Sequence, residues 1–272
     1  MRTAIPVVLL SFAAGTELPA QQSPRPSAWE VTLGGGVVVT PSYPGAEEHQ
    51  VFPFPMTQVT YRNRVFLGQS TTGNGLGLGA YAVRTSAIAV AAEVGFLQNR
   101  PASRADALAG MENRDFVATA SGSVTYTLGG LEGGLSVTQG VNDGAGLLGS
   151  ARLSFTQALG SRIIATAGVG ATLANARQMR WDFGVTRAEA SRRQVLIAAG
   201  DDRLEADEGN AYEPTGGLRH LGASLSLVYL VSSHWALLGF GGVDRLSDEA
   251  AASPLVRRRE QLTGGIGLGY RF

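Results

Sequence analysis

The chain has 272 residues, of which 37 are Gly and none is Cys. Its 22 acidic residues are balanced by 22 basic ones, every one of them Arg. That balance leaves no electrostatic footprint for nucleic acid or a polybasic membrane-surface role, and the missing thiols exclude disulfides, thiolate metal sites and a Cys nucleophile.

In chain order, Met1-Arg2 carries a positive charge, Ile5–Gly15 is a short apolar core, and Leu18-Pro19-Ala20 offers a cleavage position. Together they predict an export signal over 1–20, with Ala13-Ala14-Gly15 as a second candidate cut and 21–28 left as a short tail. No later stretch reads as a spanning helix, and mean hydropathy is only +0.07. An exported chain of this kind is either water-soluble or a β-barrel, and the alternation of side chains separates the two.

From Trp29 the sequence alternates. Trp29–Thr40 sets Leu33, Val37 and Val39 against Glu30, Thr32 and Thr40, until Pro41-Ser42-Tyr43-Pro44-Gly45 breaks it. Val51–Arg62 is a weaker strand, because Pro53 and Pro55 cannot donate to a ladder. Asn63 marks a tight turn into Arg64–Thr71, and Gly75–Arg84 and Ala87–Asn99 follow, the latter with Glu93 on its inner face. After a polar loop over 99–114, Phe116–Leu128 is the clearest alternation of the chain, closed by the hairpin signal Gly129-Gly130. Leu131–Gly140, Leu147–Leu159 and Arg162–Ala174 continue the pattern, with turns at Asn142-Asp143-Gly144 and Gly160-Ser161. A long excursion over 175–217 leads to Leu218–Val231, then to Trp235–Asp244, whose facing the sequence does not settle. A loop over 245–259 precedes Gln261–Phe272.

That last strand sets Leu262, Ile266, Leu268, Tyr270 and Phe272 against Gln261, Thr263, three glycines and Arg271. One apolar face and one polar or glycine face suit a wall between lipid and water. Tyr270 and Phe272 at the carboxy terminus resemble the assembly signal of outer-membrane barrels. The count is twelve strands. Every second connection is tight, and the longer ones all fall between them, at 41–50, 99–114, 175–217 and 245–259. This predicts an all-β, antiparallel up-and-down transmembrane barrel over 29–272, with short periplasmic turns and longer extracellular loops. Such a barrel has outer-membrane lipid, lipopolysaccharide and the barrel-assembly machinery as partners.

The long loop carries a capping box, Thr186-x-x-Glu189, with good helix formers after it and Gly200 where a C-cap would stand. It predicts a helix near Arg187–Ala199, either a solvated loop helix or a lid over the lumen. Asp201, Asp202, Glu205, Asp207 and Glu208 read as a solvated acidic run, since calcium-loop spacing is missing. Glu30, Glu93, Glu132, Arg152, Arg162 and Arg271 face inward on this pattern, with Glu–Arg pairing across the lumen expected and a pore lining as the alternative. His220 with Ser224 and Ser226 is the one arrangement with any bearing on hydrolysis, but the sequence assigns it no orienting carboxylate and shows no oxyanion hole. Three scattered His and no Cys predict no transition-metal site. Neither a cofactor nor enzymatic activity is expected.

Several of these stretches, in this order, resemble the MipA/OmpV family of outer-membrane proteins, named after an MltA-interacting protein. The first is Pro41-Ser42-Tyr43-Pro44-Gly45, followed by Phe183–Ser191 in the long loop. The closest match is Arg245-Leu246-Ser247-Asp248-Glu249 with Ser253-Pro254-Leu255-Val256, and Gly267–Phe272 fits the family's end. Trp181-Asp182 replaces an aromatic pair often found before the family's Gly-Val. The resemblance implies an outer-membrane location and a scaffold joining a lytic transglycosylase to a peptidoglycan synthase. Two further readings stay open beside it: a small-solute pore gated by 186–216, and a surface adhesin or binding protein.

Overall fold

The computed structural model describes residues 28–72, 75–97, 99–141 and 144–272. The export signal expected over 1–20 and all but the last residue of the expected tail lie outside these, as do Asn142 and Asp143 of one predicted turn.

Alternation at period two becomes twelve antiparallel strands: β1 (Trp29–Pro41), β2 (His49–Tyr61), β3 (Val65–Gln69), β4 (Leu76–Arg84), β5 (Ile88–Leu97), β6 (Val117–Leu128), β7 (Leu131–Gly140), β8 (Leu147–Leu159), β9 (Ile163–Ala174), β10 (Gly217–Leu230), β11 (Trp235–Leu246) and β12 (Glu260–Arg271). Each pairs with its sequence neighbours, and β1 closes on β12 from Thr32↔Arg271 to Val39↔Gly264. The result is an up-and-down barrel. Its outer surface is a continuous apolar band, with Leu135, Ile266 and Val94 each more than half exposed. Water would penalise such a surface and hydrocarbon would not.

The turns at one rim are tight for local reasons. Arg62 and Asn63 both adopt positive φ, at 47° and 56°, in the three-residue turn from β2 to β3, which the Arg64 N–H closes on the Tyr61 carbonyl at 2.9 Å. Aromatic rings gather at the same rim. Trp29 lies 4.5 Å from Tyr61, and Tyr270 contacts both Trp235 at 4.9 Å and Phe272 at 4.8 Å. Rings with an apolar body and a polar edge suit the level where lipid meets water.

Expectation and structure differ in three places. β3 ends at Gln69 rather than near Thr71, because the Gln58 side chain accepts the Gln69 N–H in place of a ladder partner. The excursions contain more helix than the capping box foretold. α1 (Ala176–Phe183) starts on an Asn175 cap, α2 (Arg187–Ala198) follows, and α3 (Asp248–Ala251) starts on Ser247. Finally, the inner face is not uniformly small and polar. Phe52, Phe54 and Met56 of β2 pack with Val38, Leu238 and Phe240 inside the barrel. The two-sided apolar pattern of β11 follows from this, since Leu238 and Phe240 face the lumen while Leu237 and Val243 face outward.

Candidate functional site

The opposite rim is closed by loops. One core contains Tyr43 from the β1–β2 loop, Leu108 from β5–β6, Val185 and Ala190 from β9–β10, and Leu255 from β11–β12. The β5–β6 and β11–β12 connections leave the ring half its circumference apart. Loops from opposite sides that share one core must cross the mouth. The helix expected from the capping box is therefore part of a lid.

Polar contacts lock this dome. Thr186 and Glu189 form both halves of the capping box, with the Glu189 Oε2 accepting from the Thr186 N–H at 2.8 Å and the Thr186 hydroxyl accepting from the Glu189 N–H at 3.2 Å. Gly200 follows with φ 79°, the left-handed position a helix C-terminus favours. Glu189 is fully buried and also accepts the Glu112 N–H at 3.1 Å, which ties α2 to the β5–β6 loop. Burial works to raise its carboxyl. The Thr186 and Glu112 amides, the Thr186 hydroxyl and Arg114 outweigh that and hold it below the usual range.

Arg193 of α2 is also fully buried. It donates to the carbonyls of Glu208 and Ala107, both at 2.7 Å, and of Ala109 at 3.1 Å, and its guanidinium lies 3.4 Å from the Glu208 carboxylate. Glu208 in turn accepts from Arg257 at 2.7 Å. Burial lowers the Arg193 pKa, with Glu208 opposing, whereas the hydrogen bond to Glu208 raises that of Arg257. Both stay cationic at neutral pH. Glu208 is thus not the solvated member of an acidic run that its neighbours suggest. It is 4% exposed because two arginines supply what water would. Arg100, buried beside Arg114, is lowered to about 10, and it donates to the Asp182 carbonyl at 3.1 Å. Among the described residues no group of three or more His, Asp or Glu could hold a metal ion.

Beneath the dome the lumen has two characters. On one side is the apolar cluster around Phe54 and Met56. Across from it Glu93, 7% exposed, accepts from the Ser70 hydroxyl, from the Thr71 N–H at 2.8 Å and hydroxyl at 3.0 Å, and from the Thr72 hydroxyl at 3.2 Å. The β3–β4 turn folds inward to make these bonds.

Among the described residues, five of the six inward charges make none of the pairing expected across the lumen. Among the described residues no ion pair joins Glu30, Glu93, Glu132, Arg162 or Arg271. Glu93 is satisfied by hydroxyls and an amide. Glu30, Glu132, Arg162 and Arg271 lie at the strand ends of the tight-turn rim, where water makes pairing unnecessary. Arg152 sits mid-strand in β8. What the sequence reading missed at that rim is a collective feature: Arg62, Arg64, Arg84, Arg162 and Arg271 are all exposed there, against Glu30 and Glu132. The signal was present as an Arg in or beside turn after turn.

His220 has its Nδ1 2.8 Å from the Arg219 guanidinium and its Nε2 3.9 Å from Asp244, and no hydrogen bond joins it to Ser224 or Ser226. The arrangement lacks a nucleophile–base contact.

Solved structures similar to the chain include an anion-selective porin from Comamonas acidovorans (10% identity, 90% of this chain and 98% of that one, TM-score 0.41) and the translocator domain of the autotransporter NalP from Neisseria meningitidis (12%, 91% and 90%, 0.41). No curated protein matches. Residues 33–272 match the sequence profile of the family described as MltA-interacting protein MipA. A closed twelve-stranded barrel with a lipid-compatible band, matched to that profile from β1 to the terminal strand, is an outer-membrane barrel, and the chain belongs to the MipA family.

Proposed function

We propose that this barrel is a closed, non-conducting scaffold of the envelope, which holds a murein lytic transglycosylase and its synthase partner at the periplasmic rim. The observation that carries this reading is the dome. A mouth crossed by one packed core, locked by buried Arg193 and Glu189, suits a rigid platform better than an open pore. The family's description, an MltA-interacting protein, supplies the class of partner.

The periplasmic side offers little area, since its connections are tight turns. Its charge offsets that. Five exposed arginines against two glutamates favour an acidic partner face, and rim charges act mainly on encounter rate and orientation.

Photocrosslinkers at Thr85 and Ser233, in periplasmic turns, and at Val195, in the dome, test the reading in cells. Murein enzymes captured at the first two positions and lost on neutralising Arg62, Arg64, Arg84 and Arg162 are the expected result. Capture from Val195 alone, or stable single-channel conductance of the intact refolded barrel, would overturn it.

A further inference from the structure

The wall of the barrel is incomplete at one place. β2 pairs with β1 along all of its length, from Trp29↔Tyr61 to Pro41↔His49. On its other edge it pairs with β3 only from Gln58 to Tyr61. β3 ends at Gln69, and among the described residues no other strand pairs with the upper part of β2 on that side.

The polarity of this edge follows from one hydrogen bond. Arg62 donates its backbone N–H to the Ala28 carbonyl on the β1 side. By alternation, even-numbered residues of β2 bond toward β1 and odd-numbered ones face β3. Pro53 and Pro55 are odd. The two residues with no N–H thus sit where the ladder is missing, which explains how a strand with two prolines remains in a barrel wall. It also disables the edge as a template for another chain's strand.

The carbonyl oxygens remain. Those of Val51, Pro53 and Pro55 point into the gap with no backbone or side-chain donor among the described residues. Bare acceptors are not tolerated against hydrocarbon, so this slot takes a molecule that brings donors. Outward, Val51 is 67% exposed and Pro53 and Pro55 are exposed beside it, forming an apolar strip at lipid level. Above, the Gln50 side chain donates to the Arg104 carbonyl and roofs the gap with the β5–β6 loop. Below, Thr71 and Thr72 of the β3–β4 turn bond inward to Glu93.

We propose that this gap is a binding slot for a glycolipid of the surrounding leaflet. Its sugar hydroxyls donate to the free carbonyls of β2, and its hydrocarbon chain runs down the strip of Val51, Pro53 and Pro55. A glycerophospholipid without sugar hydroxyls has the chain but lacks the row of donors. The slot is independent of whether the barrel is a scaffold or a pore.

The test is native mass spectrometry of the full-length barrel, taken up from mixed vesicles holding equal amounts of a glycolipid and a glycerophospholipid with matched chains. The expected result is one retained glycolipid, lost in a variant with the β3–β4 hairpin lengthened by four residues. Val51→Trp, which fills the slot from the lipid face without touching a ladder bond, should lose it too, and Val124→Trp on β6, four strands away, should not. Equal retention of both lipids, retention unchanged by Val51→Trp, or no retained lipid would each overturn the proposal. Heat-modifiability on gels identifies any variant that has not folded.

Discussion

Gly265 of β12 and Phe240 of β11 are directly paired across the sheet, and the Phe240 ring lies over the glycine. A Cβ built on Gly265 would stand 2.6 Å from the ring's Cζ and 2.6 Å from the Val37 carbonyl oxygen of β1. The glycine face of the terminal strand is therefore the floor on which the lumenal aromatic rests. Its neighbour Gly267 does the same for Met56, whose sulfur would lie 2.6 Å from an added Cβ.

Gly265→Ala should therefore destabilise the folded barrel by about 1–3 kcal/mol, the usual cost of overpacking. Adding Phe240→Ala should recover only part of this, because the Val37 carbonyl does not move with the ring. Urea midpoints of the refolded single and double variants in detergent measure both. Full recovery in the double variant would show that the ring was the whole obstacle.

The capping box makes a second prediction, with a pH dependence. Thr186→Ala should cost about 1 kcal/mol of local stability, and Thr186→Ser much less. Glu189 has a folded pKa below its unfolded one. Its contribution is thus fully present at neutral pH and is lost as pH falls through the depressed folded value. Protease cleavage of the β9–β10 loop should accelerate below the ordinary carboxylate range in the native barrel. With Glu189→Gln it should be faster at neutral pH and nearly flat with pH. An unchanged pH profile in that variant would assign the acid sensitivity elsewhere.

Comparing residues shows what the sequence could and could not disclose. The twelve strands were legible because lipid on one side and water on the other force a period of two, and Thr186-x-x-Glu189 was legible because a cap is a local event. α1 was not, although its Asn175 cap on Gln178 is equally local, because its buried face meets residues far away in sequence. Glu208 reads as one acid among five. Only the fold brings Arg193 and Arg257 to it. The prolines of β2 made it the weaker strand in the sequence, and the structure shows that among the described residues their edge has no strand partner.

Arg193 is the third test. Arg193→Ala leaves three carbonyls without their donor and Glu208 with one arginine, so it should cost about 3 kcal/mol or more, as expected for breaking a buried pair. The exposed Arg203–Asp201 pair, at 2.6 Å, should matter far less. If the dome is what keeps the barrel shut, Arg193→Ala in planar bilayers should give flickering conductance and Arg203→Ala none. Silence in both, from folded protein, would place the barrier deeper, at the cluster around Phe54.

Phe272 separates recognition from stability. It is 72% exposed, its ring touches Tyr270, and its backbone N–H donates to the Val31 carbonyl at 3.0 Å. Replacing it removes almost no buried area from the finished barrel. Phe272→Ala should therefore leave the urea midpoint of refolded protein within about 0.5 kcal/mol of the parent, as for a surface change. The same substitution should sharply reduce the amount assembled in the outer membrane of cells, because an exposed aromatic just beyond β12 is available to a receptor before the barrel closes. Tyr270→Ala should do both, since its ring stacks against His234 and packs on Trp235. Equal losses in refolding and in cells for Phe272→Ala would make the residue a structural contact and not an address.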